Sequence, residues 1–161
     1  MCLGIVINMN NKSYYDESCK SCLSTLGKER ISPGPSIYVG GHWIVEHAYP
    51  TQHKGWLVIV SKRHIKSIHE LTHEEFEEFG SVLERTSKLL AQSIPSCERI
   101  YSMSLGEAPG FSHLHYHTIA VPYSLPPELR GAKIFSLLKE PEKAVPPKEI
   151  KEFCEYLKRK F

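Results

Sequence analysis

Long apolar segments are absent from this sequence, and its first residues argue against a secretory leader. No run of apolar residues approaches the ~20 that a helix needs to cross a bilayer. The first ten residues, MCLGIVINMN, hold only a short apolar stretch, and no basic residue precedes it. We therefore expect a cytoplasmic protein without a membrane partner.

An excess of charge of one sign is also missing. The 161 residues carry a formal net charge of +2, which is too small to indicate a nucleic-acid surface. With 41% hydrophobic and 24% charged residues, the composition is that of a soluble globular protein. A chain of this length is expected to bury roughly 70% of its unfolded surface as one domain. No internal repeat or low-complexity tract divides it.

Cysteines are few, and their number is odd. Five occur in the chain, and two of them form the motif Cys19-x-x-Cys22. Without an export signal this motif indicates metal or redox chemistry before it indicates disulfides. A redox motif normally lies at a strand-to-helix junction, which the neighbouring residues do not support. A structural zinc site needs two further ligands, and the other cysteines lie in poor contexts for that role. Both interpretations stay open on these residues alone.

The order of the predicted elements favours an α+β fold with a mainly antiparallel sheet of about five strands. The predicted strands are residues 36–41, 42–49, 55–61, 99–104 and 114–121. Residues 56–60 are apolar at every position, which predicts a central strand buried on both faces. We divide the chain into an N-terminal segment with the cysteine pair (1–35), a core (36–122), and a proline-rich crossing with a C-terminal helix (123–161).

Two amphipathic helices are predicted. Thr72 and Glu75 form a capping box at the start of the longer one, and Pro95 ends it. Its apolar stripe consists of Phe76, Phe79, Leu83, Thr86 and Leu90. The second helix covers residues 147–161, with Ile150, Phe153, Leu157 and Phe161 on one side. A short helix is expected between them, around residues 132–138.

The most informative stretch is SHLHYHTIAV, in which His113, His115 and His117 alternate. Alternate residues of a strand share one face, so the three imidazoles project together. Burying a histidine without a hydrogen-bond partner costs folding free energy. Three such residues on the inner face of a strand therefore favour a functional site. One interpretation is a plain metal site of a metallohydrolase. The other uses neutral imidazole as a nucleophile toward phosphorus, with a neighbouring imidazole stabilising the charge.

The alternating histidines also carry a family resemblance. His113-Leu114-His115-Tyr116-His117-Thr118-Ile119 resembles the His-x-His-x-His-x-x signature of the histidine-triad superfamily. Upstream, GWLVIVSKRHIKSIHELTHEE resembles that family's central strand, its Lys-x-His turn and the entry to its long helix. Together these features cover roughly residues 36–122. The fold that the resemblance implies, an antiparallel sheet with a long helix, agrees with the pattern described above.

The resemblance assigns a task to two of the three histidines. It implies that His115 is the nucleophile that takes the α-phosphate of a nucleotide. It implies that His117 hydrogen-bonds the transferring phosphate and helps to protonate the leaving group. A glutamine at that last position marks the galactose-1-phosphate uridylyltransferase branch, whereas a histidine there favours hydrolysis.

The resemblance also supplies the two missing metal ligands. In zinc-containing members the ligands are a cysteine pair, the histidine of the Lys-x-His turn and the first histidine of the triad. Here these are Cys19, Cys22, His64 and His113. The implied cofactor is a structural zinc ion, which would leave the other two histidines of the triad for chemistry.

Several positions depart from the family pattern. Ala48 stands where many members have an aspartate that binds the ribose hydroxyls, and Trp56 stands where many have a histidine. Residues 104–112, SLGEAPGFS, replace the usual asparagine and the glutamine or serine that hold the phosphate. Ser104 and Ser112 are the only candidate substitutes for substrate binding.

The resemblance implies an enzyme with a nucleotide substrate. The first hypothesis is a hydrolase of a dinucleoside polyphosphate or a nucleoside phosphoramidate, acting through a nucleotidyl-histidine intermediate. The alternatives are a nucleotidyltransferase or phosphorylase that passes the nucleotide to a sugar phosphate or to phosphate, and a non-catalytic nucleotide-binding protein. Members of the family often form homodimers, so a homodimer is expected here as well.

Overall fold

A computed structural model describes residues 15–161, so the N-terminal stretch that argued against a secretory signal lies outside the described residues. Within the described range no helix is both long and apolar enough to cross a membrane. The helices and strands are α1 (Lys20–Thr25), β1 (Tyr38–Val39), β2 (Trp43–His47), β3 (Trp56–Ser61), α2 (His73–Ser93), β4 (Cys97–Met103), β5 (His115–Pro122) and α3 (Pro147–Lys160). Short 3₁₀ segments cover Ile68–Glu70, Pro127–Leu129, Gly131–Leu138 and Pro141–Lys143.

The strands form one antiparallel sheet in the order β1-β2-β3-β5-β4. This confirms the predicted fold class and the central position of β3. The pairing of β3 with β5 places Val58 opposite His117 and Val60 opposite His115. The first predicted strand, 36–41, is reduced to two residues, and β5 begins at His115 rather than at residue 114. His113 therefore lies just before its strand.

One face of the sheet packs against α2 and α3. Leu57 and Ile59 of β3 are fully buried there, in the same cluster as Leu90 of α2 and Ile150 of α3. Alternate residues of β3 point to this face because the strand has a period of two. The amphipathic helices thus cover the side of the sheet that does not carry the histidines.

The predicted stripe of α2 is correct except at one end. The buried side of the helix includes Val82, Thr86 and Leu90, whereas Phe76 is 42% exposed. Phe76 follows the buried Glu75, so it lies about 100° further round the helix and leaves the core. The capping box of Thr72 with Glu75 is present, and the helix ends at Ser93, just before the proline.

The other face of the sheet carries Trp56, His115 and His117. Trp56 belongs to a second buried cluster on this face, together with Ile119, Val121 and Ile134 of the 3₁₀ segment Gly131–Leu138. That segment stands where a short helix was predicted. On the opposite side of the same face lies α1, and the space between the two is a cavity above the histidines.

Candidate functional site

Four side chains from three separate parts of the chain meet beside α1. Cys19 caps this helix and Cys22 lies three residues later, which places both thiols on one side. The Sγ atom of Cys22 lies 3.3 Å from Nδ1 of His64 and 3.4 Å from Nδ1 of His113, and the Sγ atom of Cys19 lies 3.5 Å from the latter. One ligand atom from each residue falls within 4.8 Å of all the others.

Each histidine of this cluster turns Nδ1 toward a cysteine thiol and Nε2 toward an oxygen atom. Nε2 of His113 donates to the backbone oxygen of Ser61 at 2.7 Å, so Nδ1 is free for a metal. Nε2 of His64 faces the carboxylate of Asp16 at 3.8 Å. Two thiols and two imidazoles are the donor set that zinc prefers in structural sites. The residues present therefore fit the predicted cofactor.

Burial tunes the protonation of this cluster. It raises the pKa of the Cys22 thiol to about 11, and it lowers the pKa of His113 to about 4. In the absence of a cation the thiol keeps its proton and the imidazole stays neutral at neutral pH. A metal ion that binds here would therefore displace the proton of Cys22.

Gly110 joins the loop that precedes β5 to the start of α1 by a backbone hydrogen bond. Gly110 has φ +80° and accepts a hydrogen bond from the backbone N–H of Lys20 at 2.9 Å. A Cβ atom at Gly110 would lie 3.3 Å from the Lys20 side chain. This conformation favours glycine. The loop thereby holds His113 next to the two cysteines.

The tautomer of His115 follows from its partners. Its Nδ1 lies 2.7 Å from the backbone oxygen of His113, and an oxygen of this kind only accepts. Nδ1 therefore carries the proton, and Nε2 of the neutral ring carries a lone pair. This is the nitrogen that a nucleophilic imidazole uses.

The tautomer of His117 is fixed in the same way. The indole N–H of Trp56, which can only donate, lies 3.0 Å from Nδ1 of His117. Nδ1 is therefore unprotonated, and the single proton of the neutral ring is on Nε2. That N–H donates to Nε2 of His115 at 3.1 Å. The hydrogen bonds thus run in one direction, from Trp56 through His117 and His115 to the carbonyl of His113.

Both histidines are kept neutral by their surroundings. Burial and the neighbouring His115 lower the pKa of His117 to about 3. Burial also lowers the pKa of His115, although its bond to the His113 carbonyl opposes this. The ring of Phe135 covers His117 edge to face, with 4.8 Å between the centroids. The site therefore presents neutral imidazole at neutral pH.

The cavity above these rings has a volume of about 510 Å³, which is in the range of small-molecule sites. His115 and His117 line it, and apolar atoms make up most of the rest of its wall. Ala48 and Val58 lie on its sheet side, and Phe111 comes from the loop before β5. Phe135, in the proline-rich crossing, completes the wall, and no sequence pattern pointed to this role.

Glu46 is a buried carboxylate of this cavity that sequence reasoning missed. Its oxygens accept from the hydroxyls of Ser24 and Ser36 at 3.0 Å, and it pairs with Arg30 at 3.0 Å. All these partners belong to the segment that precedes β1. Glu46 therefore ties that segment, and with it α1, to β2. A charged residue directly after the apolar run Trp43–Val45 was the available signal.

The structure brings six of the eight predicted site residues to one face of the sheet. Cys19, Cys22, His64 and His113 form a Cys/His cluster that could hold a metal ion, and His115 and His117 line the adjacent cavity. Ser104 and Ser112 do not line this cavity, and Ser112 is exposed. Their role in substrate binding stays a prediction.

Comparison with known proteins extends this description. Residues 29–130 match the family model described as "Scavenger mRNA decapping enzyme C-term binding". No curated protein matches the sequence. The structure resembles a HIT-like protein involved in cell-cycle regulation from Bartonella henselae, with a TM-score of 0.68, 14% identity, and coverage of 91% of this chain and 98% of that one.

Two further solved structures share the fold. For a histidine triad protein from Bradyrhizobium japonicum the TM-score is 0.63, with 21% identity and coverage of 85% of this chain and 94% of that one. For a zinc-bound histidine triad family protein from Mycobacterium smegmatis it is 0.56, with 14% identity and coverage of 89% and 98%. At these identities the likeness concerns the fold alone.

The neutral state of His117 predicts a pH dependence of stability. Its pKa falls from 6.5 in the unfolded chain to about 3 on folding, so only the unfolded chain takes up this proton as the pH drops below about 6.5. Stability that is present above this pH is therefore lost below it. This one group should contribute about 1.4 kcal/mol per pH unit between pH 6 and 4.

Urea unfolding at pH 7, 6 and 5 measures this effect. We expect the free energy of unfolding of His117→Gln to fall less steeply than that of the wild type. The exposed His73 provides the control, and His73→Gln should follow the wild-type slope. Equal slopes for all three proteins would contradict the prediction.

Proposed function

This chain belongs to the family described as scavenger mRNA decapping enzyme C-term binding, within the histidine-triad superfamily, and from that membership we propose that it is a nucleotide hydrolase. The observation that carries the proposal is the unprotonated Nε2 atom of His115, on a neutral ring that lines a cavity of about 510 Å³. The proposed reaction passes through a nucleotidyl-histidine intermediate.

In the first step, Nε2 of His115 forms a bond to phosphorus while the bond to the leaving group breaks. The leaving group takes the electron pair of the broken bond. The imidazole becomes positively charged, and its Nδ1–H remains bonded to the His113 carbonyl, which stabilises that charge. The Nε2–H of His117 moves its hydrogen bond from His115 to an oxygen of the transferring group.

In the second step, water attacks phosphorus and the electron pair of the N–P bond returns to His115. The proton of the water passes to the departing phosphate or to solvent. The apolar wall of the cavity favours these charge-stabilising contacts, because they are stronger where bulk water is excluded. Division into two steps is the benefit of a covalent intermediate.

The proposed substrate is a dinucleoside polyphosphate or a nucleoside phosphoramidate. The family description refers to an mRNA decapping enzyme, and an mRNA cap joins two nucleosides through a polyphosphate. The cavity volume suits one nucleoside with its phosphate. In the proposal Ser104 and Ser112 contact substrate, and the protein is a cytoplasmic homodimer.

We further propose that Cys19, Cys22, His64 and His113 hold a structural zinc ion. When bound, such an ion supplies folding free energy and not chemistry on the substrate. Of the histidines that alternate in the sequence, only His113 belongs to this cluster. Its backbone oxygen is the acceptor for Nδ1 of His115, so a metal at His113 would also hold the orientation of the nucleophile.

Cys22→Ser tests the metal site. We expect the wild type to carry about one zinc per chain, and the variant to lose metal and melt at a lower temperature, because a structural metal contributes to folding. Elemental analysis and thermal unfolding measure the two effects. The matched control is Cys97→Ser, whose thiol lies on β4 away from the cluster. Metal-free wild type with unchanged stability would rule out a structural role.

His115→Ala tests the nucleophile. We expect hydrolysis of diadenosine tetraphosphate or a cap dinucleotide to fall by about 10³-fold or more, with a folded structure close to that of the wild type. Intact-mass analysis of acid-sensitive adducts after rapid quenching should detect a nucleotidyl adduct on the wild type alone. Turnover without an adduct, and with inversion at phosphorus, would favour attack by water instead. Products formed with added phosphate separate hydrolysis from transfer.

A further inference from the structure

The series of hydrogen bonds through His117 and His115 begins at Trp56, which lies on β3 and not on the histidine strand β5. Trp56 pairs with Ile119 in the sheet, next to the pair of Val58 with His117, so its ring lies on the same face as His117. Its side chain is fully buried and packs edge to face against both His117 and Phe135, with centroid distances of 5.7 and 5.4 Å. The indole is therefore held with its N–H on Nδ1 of His117.

This contact limits the protons that His117 can carry. An indole nitrogen donates and does not accept. A second proton on His117 would have to be placed on Nδ1, where it would face the N–H of Trp56 and break a buried hydrogen bond at a cost in stability. His117 thus has one proton, on Nε2. The depressed pKa of His117 agrees with this limit.

We propose that Trp56 is a positioning residue that keeps His117 a neutral hydrogen-bond donor, so that the site cleaves phosphoanhydrides in preference to phosphoramidates. This inference rests on the proposed function. The resemblance gives His117 two tasks, which are a hydrogen bond to the transferring phosphate and help in protonating the leaving group. The geometry favours the first task alone, in which His117 stabilises charge on the phosphate without releasing its proton.

The preference follows from the balance of the first step. When a phosphoanhydride is cleaved, the P–O electron pair stays on a phosphate oxygen, which is stable as an anion at neutral pH. When a phosphoramidate is cleaved, the P–N electron pair stays on nitrogen, and the amine needs a proton to leave. His117 could supply it only by becoming an imidazolate anion. The site therefore offers a phosphoramidate no general acid to protonate its leaving amine.

Nitrogen-15 NMR of histidine-labelled protein tests the tautomer in the resting enzyme. We expect His117 of the wild type to show an unprotonated Nδ1 and a protonated Nε2, and we expect Trp56→Phe to produce a mixture of tautomers. Trp43→Phe is the matched control. That tryptophan is also fully buried, but its N–H donates to the backbone oxygen of Glu75 at 2.8 Å, and its loss should leave the His117 signals unchanged.

Two outcomes of this measurement would overturn the role of Trp56. One is a proton on Nδ1 of His117 in the wild type, which requires no variant to fold. The other is an unchanged tautomer in Trp56→Phe. Neither outcome depends on turnover, so the result is independent of the proposed function.

Kinetics with two substrates tests the preference. Diadenosine tetraphosphate and adenosine 5′-phosphoramidate would give the same adenylyl adduct, so kcat/KM compares their leaving groups. We expect the wild type to favour the anhydride by about 100-fold or more, the range over which general acids act. Trp56→Phe should reduce this ratio by about tenfold or more, whereas Trp43→Phe should not. Equal use of both substrates by the wild type would overturn the inference and leave the proposed function standing. Turnover of neither would overturn the proposed function and, with it, the preference.

His117→Gln tests independently whether His117 acts as a hydrogen-bond donor or as a proton donor. The amide oxygen of glutamine can accept from Trp56 while its NH₂ group donates onward, but glutamine never carries a transferable proton. We expect anhydride turnover of His117→Gln to exceed that of His117→Ala by about tenfold or more. If glutamine is as damaging as alanine, His117 acts as a proton donor and the inference fails.

Discussion

Antiparallel pairing of β3 with β5 sets the position of every group that we assign to chemistry. Val58 pairs with His117 and Val60 with His115, so the two histidines stand above an apolar strand in the middle of the sheet. Trp56 follows on the same face because side chains alternate along a strand. A slip of one residue would turn all these side chains toward α2 and α3. The two helices covering the other face make such a slip costly.

His113 connects the Cys/His cluster to the cavity. Its Nδ1 faces both cysteine thiols, and its backbone oxygen accepts from Nδ1 of His115. One residue therefore holds the cluster and orients the ring that follows it on the strand. The loop closed at Gly110 and the carboxylate of Glu46 fix α1 against the sheet, which keeps the two cysteines within reach. The candidate nucleophile depends on this support and not on its own strand alone.

Burial has a cost and a use in the same two rings. His115 and His117 are neutral because their surroundings disfavour the charged form, and acid should therefore weaken the fold. The same neutrality leaves a lone pair on Nε2 of His115, which a protonated ring would lack. Burial of the two rings thus makes the fold less stable at low pH. The same burial keeps the imidazole of His115 neutral, so that it can react at neutral pH.

The sequence by itself determined the features that depend on local spacing. Alternation placed His115 and His117 on one face, the capping box marked the start of α2, and the Cys19 motif with the family resemblance named the metal ligands. The tertiary structure alone decided which groups surround them. The tautomer of His117 depends on the indole N–H of Trp56, which lies on another strand. The cavity wall includes Phe135, which comes from a segment without regular periodicity. Spacing along a chain fixes the face on which a side chain lies, whereas its partners across the sheet depend on contacts between residues far apart in sequence.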